Sequence, residues 1–149
     1  MPVSEICTRN VVVVSRNETA LEAARLMRRH HVGDVIVVED SNGSKIPIGI
    51  VTDRDLVVEI MAQGIDPESL SVSEIMTSEL ARIEGGQGIF EAVEYMRSKG
   101  VRRLPVVGEG GALIGVLALD DLLELLAEEL SGLSKLVKNE MNREARNRV

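Results

Sequence analysis

Aromatic side chains are almost missing from this 149-residue chain, which has one phenylalanine, one tyrosine and no tryptophan. Stacking of bases along an aromatic platform is therefore excluded as a general binding mode, and a base bound here would slot between aliphatic side chains. Positive charge is also in deficit, with 17 Lys and Arg against 24 Asp and Glu and a net charge of −7. That balance argues against a nucleic-acid surface, which needs basic stripes to displace counterions, so any phosphate must be held by a local basic cluster. Cys7 is the one cysteine, which excludes an internal disulfide or a cysteine cluster for zinc and fits a reducing compartment. No apolar run approaches the length of a membrane span, and the first residues lack the basic-then-apolar layout of a signal peptide. We expect a soluble, cytoplasmic protein with neither nucleic acid nor membrane among its partners.

What the chain does have is aliphatic residues, at 44% hydrophobic overall, enough for one good core or two small intertwined units. They recur in order. Val3, Ser4, Glu5, Ile6 and Thr8 match Val72, Ser73, Glu74, Ile75 and Thr77 at an offset of 69 residues. Glu22, Ala23, Met27 and Arg28 likewise match Glu91, Ala92, Met96 and Arg97, and Val32, Val37 and Val38 match Val101, Val106 and Val107. The offset falls to 66 at Gly49 and Gly115, because the segments 39–48 and 108–114, which hold the turns at 40–44 and 108–111, differ by three residues. This is a tandem repeat, and it decides the architecture.

In the first repeat, residues 11–14 form a short β-branched run, and Thr19 followed by Glu22 predicts a capping box for the next helix. That helix buries Ala20, Ala23, Ala24 and Met27, and its counterpart buries Ile89, Ala92, Val93 and Met96. Residues 35–38 and 47–51 flank Asn42 and Gly43 as a β-hairpin, repeated by 104–107 and 113–117. Each unit thus reads as βαββα, with residues 63–69 as the linker. We divide the chain into repeat 1 (1–66), repeat 2 (67–130) and a C-terminal helical extension (131–149). Units this small cannot bury a sheet face alone, so the two are expected to pack sheet to sheet about a pseudo-two-fold axis. The Leu-rich helix after Asp121 carries an apolar stripe suited to a homodimer contact.

The most chemically loaded stretch is Gly49, Ile50, Val51, Thr52, Asp53, Arg54 and Asp55, where a strand period gives way to a helix period through Leu56, Val57, Ile60 and Met61. A helix opening at Thr52 aims free N–H groups and its positive dipole end at the strand's carboxyl end, a ready anion site. Arg54 adds a cation, Asp55 can accept two hydroxyls of a ribose, and the Thr52 hydroxyl suits a ribose or phosphate oxygen. Thr52 and Asp55 also have the spacing of a capping box, which explains them with no ligand at all. The later copy, Gly115 to Asp121, keeps the final aspartate but has Ala118 in place of the threonine. Gly85, Gly86, Gln87 and Gly88 read as a turn, since no lysine with serine or threonine follows to complete a phosphate loop. His30 and His31 are adjacent near a helix end, which suits a C-terminal charge better than a metal, so no metal site is expected. No serine, cysteine or histidine stands in a recognisable nucleophile arrangement, so no catalytic residues are assigned.

Two units of this order, with Gly-Ile-Val-Thr-Asp-Arg-Asp closing the first and Val-Arg-Arg-Leu-Pro-Val-Val in the second, resemble a tandem pair of CBS (cystathionine beta-synthase) domains over residues 1–129. The resemblance implies a stand-alone Bateman module, α/β (α+β) in class, that regulates rather than catalyses and needs no cofactor. Its ligand would be an adenine nucleotide (AMP, ADP or ATP), and its output would go to a separate effector protein or enzyme. The alternatives are an S-adenosylmethionine-binding module or a ligand-free dimeric scaffold. By the same resemblance, one cleft joins Ile50, Val51, Thr52, Asp53, Arg54 and Asp55 to Leu80, Ala81, Arg102, Arg103 and Pro105. The other joins Ala118 and Asp121 to Val11, Val12, Gly33 and Asp34, and departs from the pattern. It lacks the hydroxyl and sets a carboxylate where a phosphate needs a cation; like charges about 4 Å apart repel by roughly 1 to 4 kcal/mol. We expect one strong nucleotide site per chain and a weak or vestigial second one.

Overall fold

A computed structural model describes residues 1–77 and 79–148; Ser78 and Val149, the last residue of the expected extension, lie outside the described residues. The chain runs β1 (Val13–Ser15), α1 (Ala20–His30), β2 (Asp34–Ser41), β3 (Ser44–Thr52) and α2 (Asp53–Asp55), which continues as a π-helical turn at Leu56–Met61. The second copy runs α3 (Val72–Ile75), β4 (Ile83–Glu84), α4 (Ile89–Lys99), β5 (Arg103–Val107), β6 (Leu113–Ala118) and α5 (Leu119–Asn147). The strands form two three-stranded sheets, ordered β1-β2-β3 and β4-β5-β6. The βαββα order expected from the repeat is therefore present twice.

Local chemistry explains most element ends. Thr19 caps α1 by accepting from the Glu22 N–H at 3.1 Å, and His31 closes it in the left-handed conformation at φ 55°. In the β2–β3 hairpin, Ser41 pairs with Ser44, while Asn42 and Gly43 hold φ of 51° and 81°, the two positive values that a type I′ turn requires. The strand at residues 11–14 is shorter and later than its β-branched run predicts, since the parallel ladder with β2 begins only at Val13. The helix face read after Thr52 also splits. Here Ala62 N–H donates to the Val57 carbonyl five residues back, and this wider turn moves residues off a 3.6-residue face. Ile60 is buried while Val57 and Met61 are 51% and 75% exposed. Val93, expected on the buried face of α4, is exposed, whereas Ala92 and Met96 are buried.

Contacts divide the chain into Met1–Leu117 and Ala118–Val149, the second unit being essentially α5. That helix runs without a break through residues 130 and 131, and among the described residues no helix is long and apolar enough to cross a membrane. Within the first unit, one face of sheet 1 packs Val14, Val35, Val37 and Val51 against Ala23 and Met27 of α1 and Val72 of α3. The opposite face packs Ile36, Val38, Val13 and Ile50 against Val116 and Leu113 of β6. Sheet meets sheet, as the amphipathic strands demanded.

The two repeats also exchange their leading segments. Val3 N–H bonds to Gln87 O at 2.9 Å and Ser4 N–H to Gly85 O at 3.1 Å, while Val72 N–H bonds to Glu18 O at 2.8 Å and Ser73 N–H to Arg16 O at 3.3 Å. Farther along, Thr8 bridges to Val116 and Thr77 to Ile50. Donors and acceptors are repeat equivalents throughout, so the pseudo-two-fold relation is written into the backbone hydrogen bonds. The exchange buries Val3 and Val72 completely.

This crossing accounts for the two glycines that begin the repeated motif. A Cβ on Gly115 would lie 2.5 Å from Thr8 O and 2.9 Å from Cys7 Sγ, and one on Gly49 would overlap the Met76 side chain. We predict that Gly115→Ala destabilises the fold by about 1 to 3 kcal/mol, as overpacking does. Gly49→Ala should cost less, because a methionine side chain can swing away and a backbone carbonyl cannot. Gly86→Ala, where an added Cβ meets nothing within 4 Å, serves as the neutral control. Urea unfolding of the three variants checks the order; equal midpoints for Gly115→Ala and Gly86→Ala would contradict it.

Candidate functional site

The turn from β3 into α2 is built by Thr52 and Asp55. Thr52 is extended at φ −105°, ψ 163°; its hydroxyl accepts from Asp55 N–H at 3.1 Å and its own N–H donates to Asp55 Oδ2 at 2.9 Å. The capping box read from the sequence is thus complete. It occupies one carboxylate oxygen of Asp55 and leaves the other, Oδ1, outside the cap. Asp53 N–H donates to Gly33 O and Arg54 N–H to Asp53 Oδ1, while the side chains of Asp53 and Arg54 are exposed. Ile50 packs toward the other sheet. Val51 is wholly buried on the helix side, so only its backbone remains for a ligand.

Beside this turn stands an ion pair that spans the repeats. Asp34 pairs with Thr52 in the β2–β3 ladder, and its Oδ2 receives Arg103 Nε at 2.6 Å. The sequence reading assigned these residues to opposite clefts; the structure joins them. The reason is symmetry. Asp34 and Arg103 occupy equivalent positions in the two repeats, and equivalent groups close to a two-fold axis necessarily approach each other. Asp34 is therefore not the lone repelling carboxylate expected of the second cleft. Burial raises its pKa above the usual carboxylate value, the charge and hydrogen bond of Arg103 pull it down, and nearby Asp53 adds a smaller upward push. Burial wins.

The other assigned residues fall as follows. Leu80 and Ala81 are half-buried and lie after Thr77, whose N–H donates to Ile50 O at 3.1 Å. They precede β4 rather than belonging to the first strand of repeat 2, as Val11 and Val12 precede β1, and Val12 O already accepts from Ile36 N–H. Pro105 is fully buried in β5. Arg102 is exposed and, among the described residues, enters no ion pair. In the second unit Ala118 N–H donates to Asp121 Oδ2 at 3.1 Å, the half of the capping box that survives loss of the hydroxyl.

Two features near the turn were missed from sequence. Met76 and Thr77 cross over Gly49 and Ile50, and only the repeat offset, applied across the axis instead of along the chain, would have exposed them. Two concavities lie elsewhere, of about 830 Å³ beside Arg82, Phe90 and Tyr95 and about 550 Å³ along Gly85, Gly86 and Gly108. Gly85 N–H bonds to Val107 O and Gln87 N–H to Glu84 O, so residues 85–88 form a turn that leads into α4. Among the described residues, no group of three or more His, Cys, Asp or Glu side chains is placed to hold a metal.

Comparison with known proteins gives the following. The family model of the CBS domain matches residues 3–62 and 72–128. The chain is similar to an uncharacterized protein of Methanopyrus kandleri, 39% identical over 123 residues, which are 83% of this chain and 61% of that protein. It is similar to the CBS domain-containing protein YhcV of Bacillus subtilis, 38% identical over 120 residues, 80% of this chain and 81% of the relative. Among solved structures it resembles a CBS domain protein of Pyrobaculum aerophilum complexed with AMP, at a TM-score of 0.73 and 27% identity, covering 85% of this chain and 99% of that one.

The Asp34–Arg103 pair yields a pH dependence. Because the folded state holds the Asp34 proton more tightly than the unfolded chain, stability falls as pH rises from the ordinary carboxylate range through the raised value, and is level above it. Asp34→Asn should lack that fall. Urea midpoints of both proteins over about pH 3 to 7 check it; a wild type that gains stability over this interval relative to Asp34→Asn would show that Arg103 outweighs burial.

Proposed function

Since this chain belongs to the CBS domain family as a tandem pair, we propose that it is a regulatory module, not an enzyme, that binds AMP, ADP or ATP at the turn of Thr52 and Asp55. Its working unit is a homodimer, and its response is read by a separate effector. The observation that carries this reading is the run of contacts that links Asp55 through the Thr52 turn and Asp34 to the Arg103 guanidinium. A ribose finds an acceptor in Asp55, and a phosphate finds cations in Arg103 and exposed Arg102 and Arg54. The AMP complex of the similar Pyrobaculum aerophilum protein supports the same ligand class.

Binding changes a conformational equilibrium only when the ligand favours one state. Arg103 supplies the difference, because it has two competing acceptors, Asp34 and a bound phosphate. When phosphate draws Arg103 away, Asp34 loses the interaction that lowers its pKa, so its carboxyl keeps its proton to higher pH in the complex than in the free protein. A ligand-free scaffold is the second reading, favoured by the fact that the cap already satisfies Thr52 and Asp55 and that Arg103 is already paired.

Calorimetric titration of nucleotide-free protein with AMP, ADP, ATP and S-adenosylmethionine separates the two. We expect one site per chain for an adenine nucleotide, lost in Asp55→Ala and kept in Asp121→Ala. Asp55→Ala also removes a cap worth about 1 kcal/mol, so its folding is checked at the titration temperature. At the pH where Asp34 titrates, buffers of different ionisation enthalpy should report proton uptake in the wild type and none in Asp34→Asn. No heat and no thermal shift with any of the four ligands would leave the scaffold reading.

A further inference from the structure

Helix α1 carries three arginines on the face turned away from the core. Ala20, Ala23 and Met27 are buried, while Arg25, Arg28 and Arg29 are exposed; spacings of three and four residues make these arginines neighbours on one side of the helix. The second repeat shows how the same face is neutralised. Arg97, the equivalent of Arg28, turns Nη2 to both carboxylate oxygens of Glu94 at 2.9 Å, and Ser98 stands where the first repeat has Arg29. Arg25 occupies the place of Glu94. In α1 an internal ion pair is thus exchanged for a further positive charge, and like charges at these spacings destabilise a helix.

Among the described residues, none of the three arginines enters an ion pair. Glu22, the one acid of α1, lies a turn before Arg25 without pairing to it. Asp66 and Glu68 flank the start of the helix, where Leu21 N–H bonds to Pro67 O, and neither pairs with the arginines. The helix dipole favours Arg28 and Arg29, which lie in the last turn. It does not account for Arg25, a turn farther in.

We infer that this triad is a docking surface for an acidic segment of a partner protein, with each guanidinium taking a carboxylate. The inference rests on the effector reading above for the existence of a partner, and gives that partner a surface and a charge; nucleotide binding plays no part in it. The arginines cover about 6 Å of helix, which suits a short run of aspartate or glutamate. A nucleic acid is a poorer occupant, because its charge continues past the patch onto a chain of net charge −7. A membrane surface is poorer too, since an interfacial helix inserts its apolar face and that of α1 is already buried against the sheet through Ala23 and Met27.

The test is an NMR titration of the full, nucleotide-free chain with a short capped peptide rich in glutamate. Amide shifts should appear along α1 and shrink as salt is raised. Arg25→Glu, which installs the pairing seen on α4, should weaken the peptide about tenfold or more without lowering the urea midpoint, and Arg28→Gln with Arg29→Gln should do the same. Arg82→Glu, the same change of charge at another exposed arginine, should leave binding intact. Absence of shifts from α1 in the wild type, or an equal loss in Arg82→Glu, would overturn the docking surface and leave nucleotide binding untouched. Tighter binding of a single-stranded DNA oligomer of equal charge, or of phosphatidylserine vesicles, through the same arginines would overturn the acidic segment as occupant.

Discussion

Two backbone crossings hold this structure together, one at Gly115 beneath Thr8 and one at Gly49 beneath Met76. Each lets the leading segment of one repeat lie on the last strand of the other, with the Thr8 carbonyl against Gly115 and the Met76 side chain against Gly49. From that contact follow the paired bridges of Thr8 with Val116 and of Thr77 with Ile50, the complete burial of Val3 and Val72, and the face-to-face meeting of the sheets through Ile36, Val38 and Val116. The glycine at the head of the motif thus serves packing, while the threonine and aspartate at its end serve the helix cap. One short stretch holds two functions for separate physical reasons.

The pseudo-two-fold relation also concentrates chemistry at the axis. Positions that are 69 residues apart in sequence meet there, and because one is Asp34 and the other Arg103, symmetry of the backbone becomes an ion pair instead of a repulsion. A repeat with arginine at both places, or aspartate at both, would set like charges together in a partly buried spot, at a cost of roughly 4 kcal/mol at 4 Å and an effective dielectric of 20. Divergence between the repeats is therefore electrostatically useful at this point. It also means that Arg103, paired beside the Thr52 turn, is already engaged, so that a bound anion would have to compete for it.

The helix that follows the second sheet obeys different rules. Its charges are segregated along its length and exposed apolar residues recur along one stripe. The first unit is stabilised by the exchange of leading segments between its two repeats.

The sequence by itself determined what is local or periodic. Both βαββα orders, the hairpin turn at Asn42 and Gly43, the buried faces of α1 and α4 at Ala23, Met27, Ala92 and Met96, and the capping box of Thr52 and Asp55 were all legible, because each depends on residues within a few positions of one another. The short β1 and β4, the π-helical turn that exposes Val57 and Met61, and the complete burial of Pro105 were not, because each is set by where a neighbouring strand ends or how a helix is packed. Most of the candidate site belongs with these. Which cation reaches the Thr52 turn, and which carboxylate restrains it, was decided by the axis between the repeats, where residues with no local relation are brought to within hydrogen-bonding distance by the tertiary structure alone.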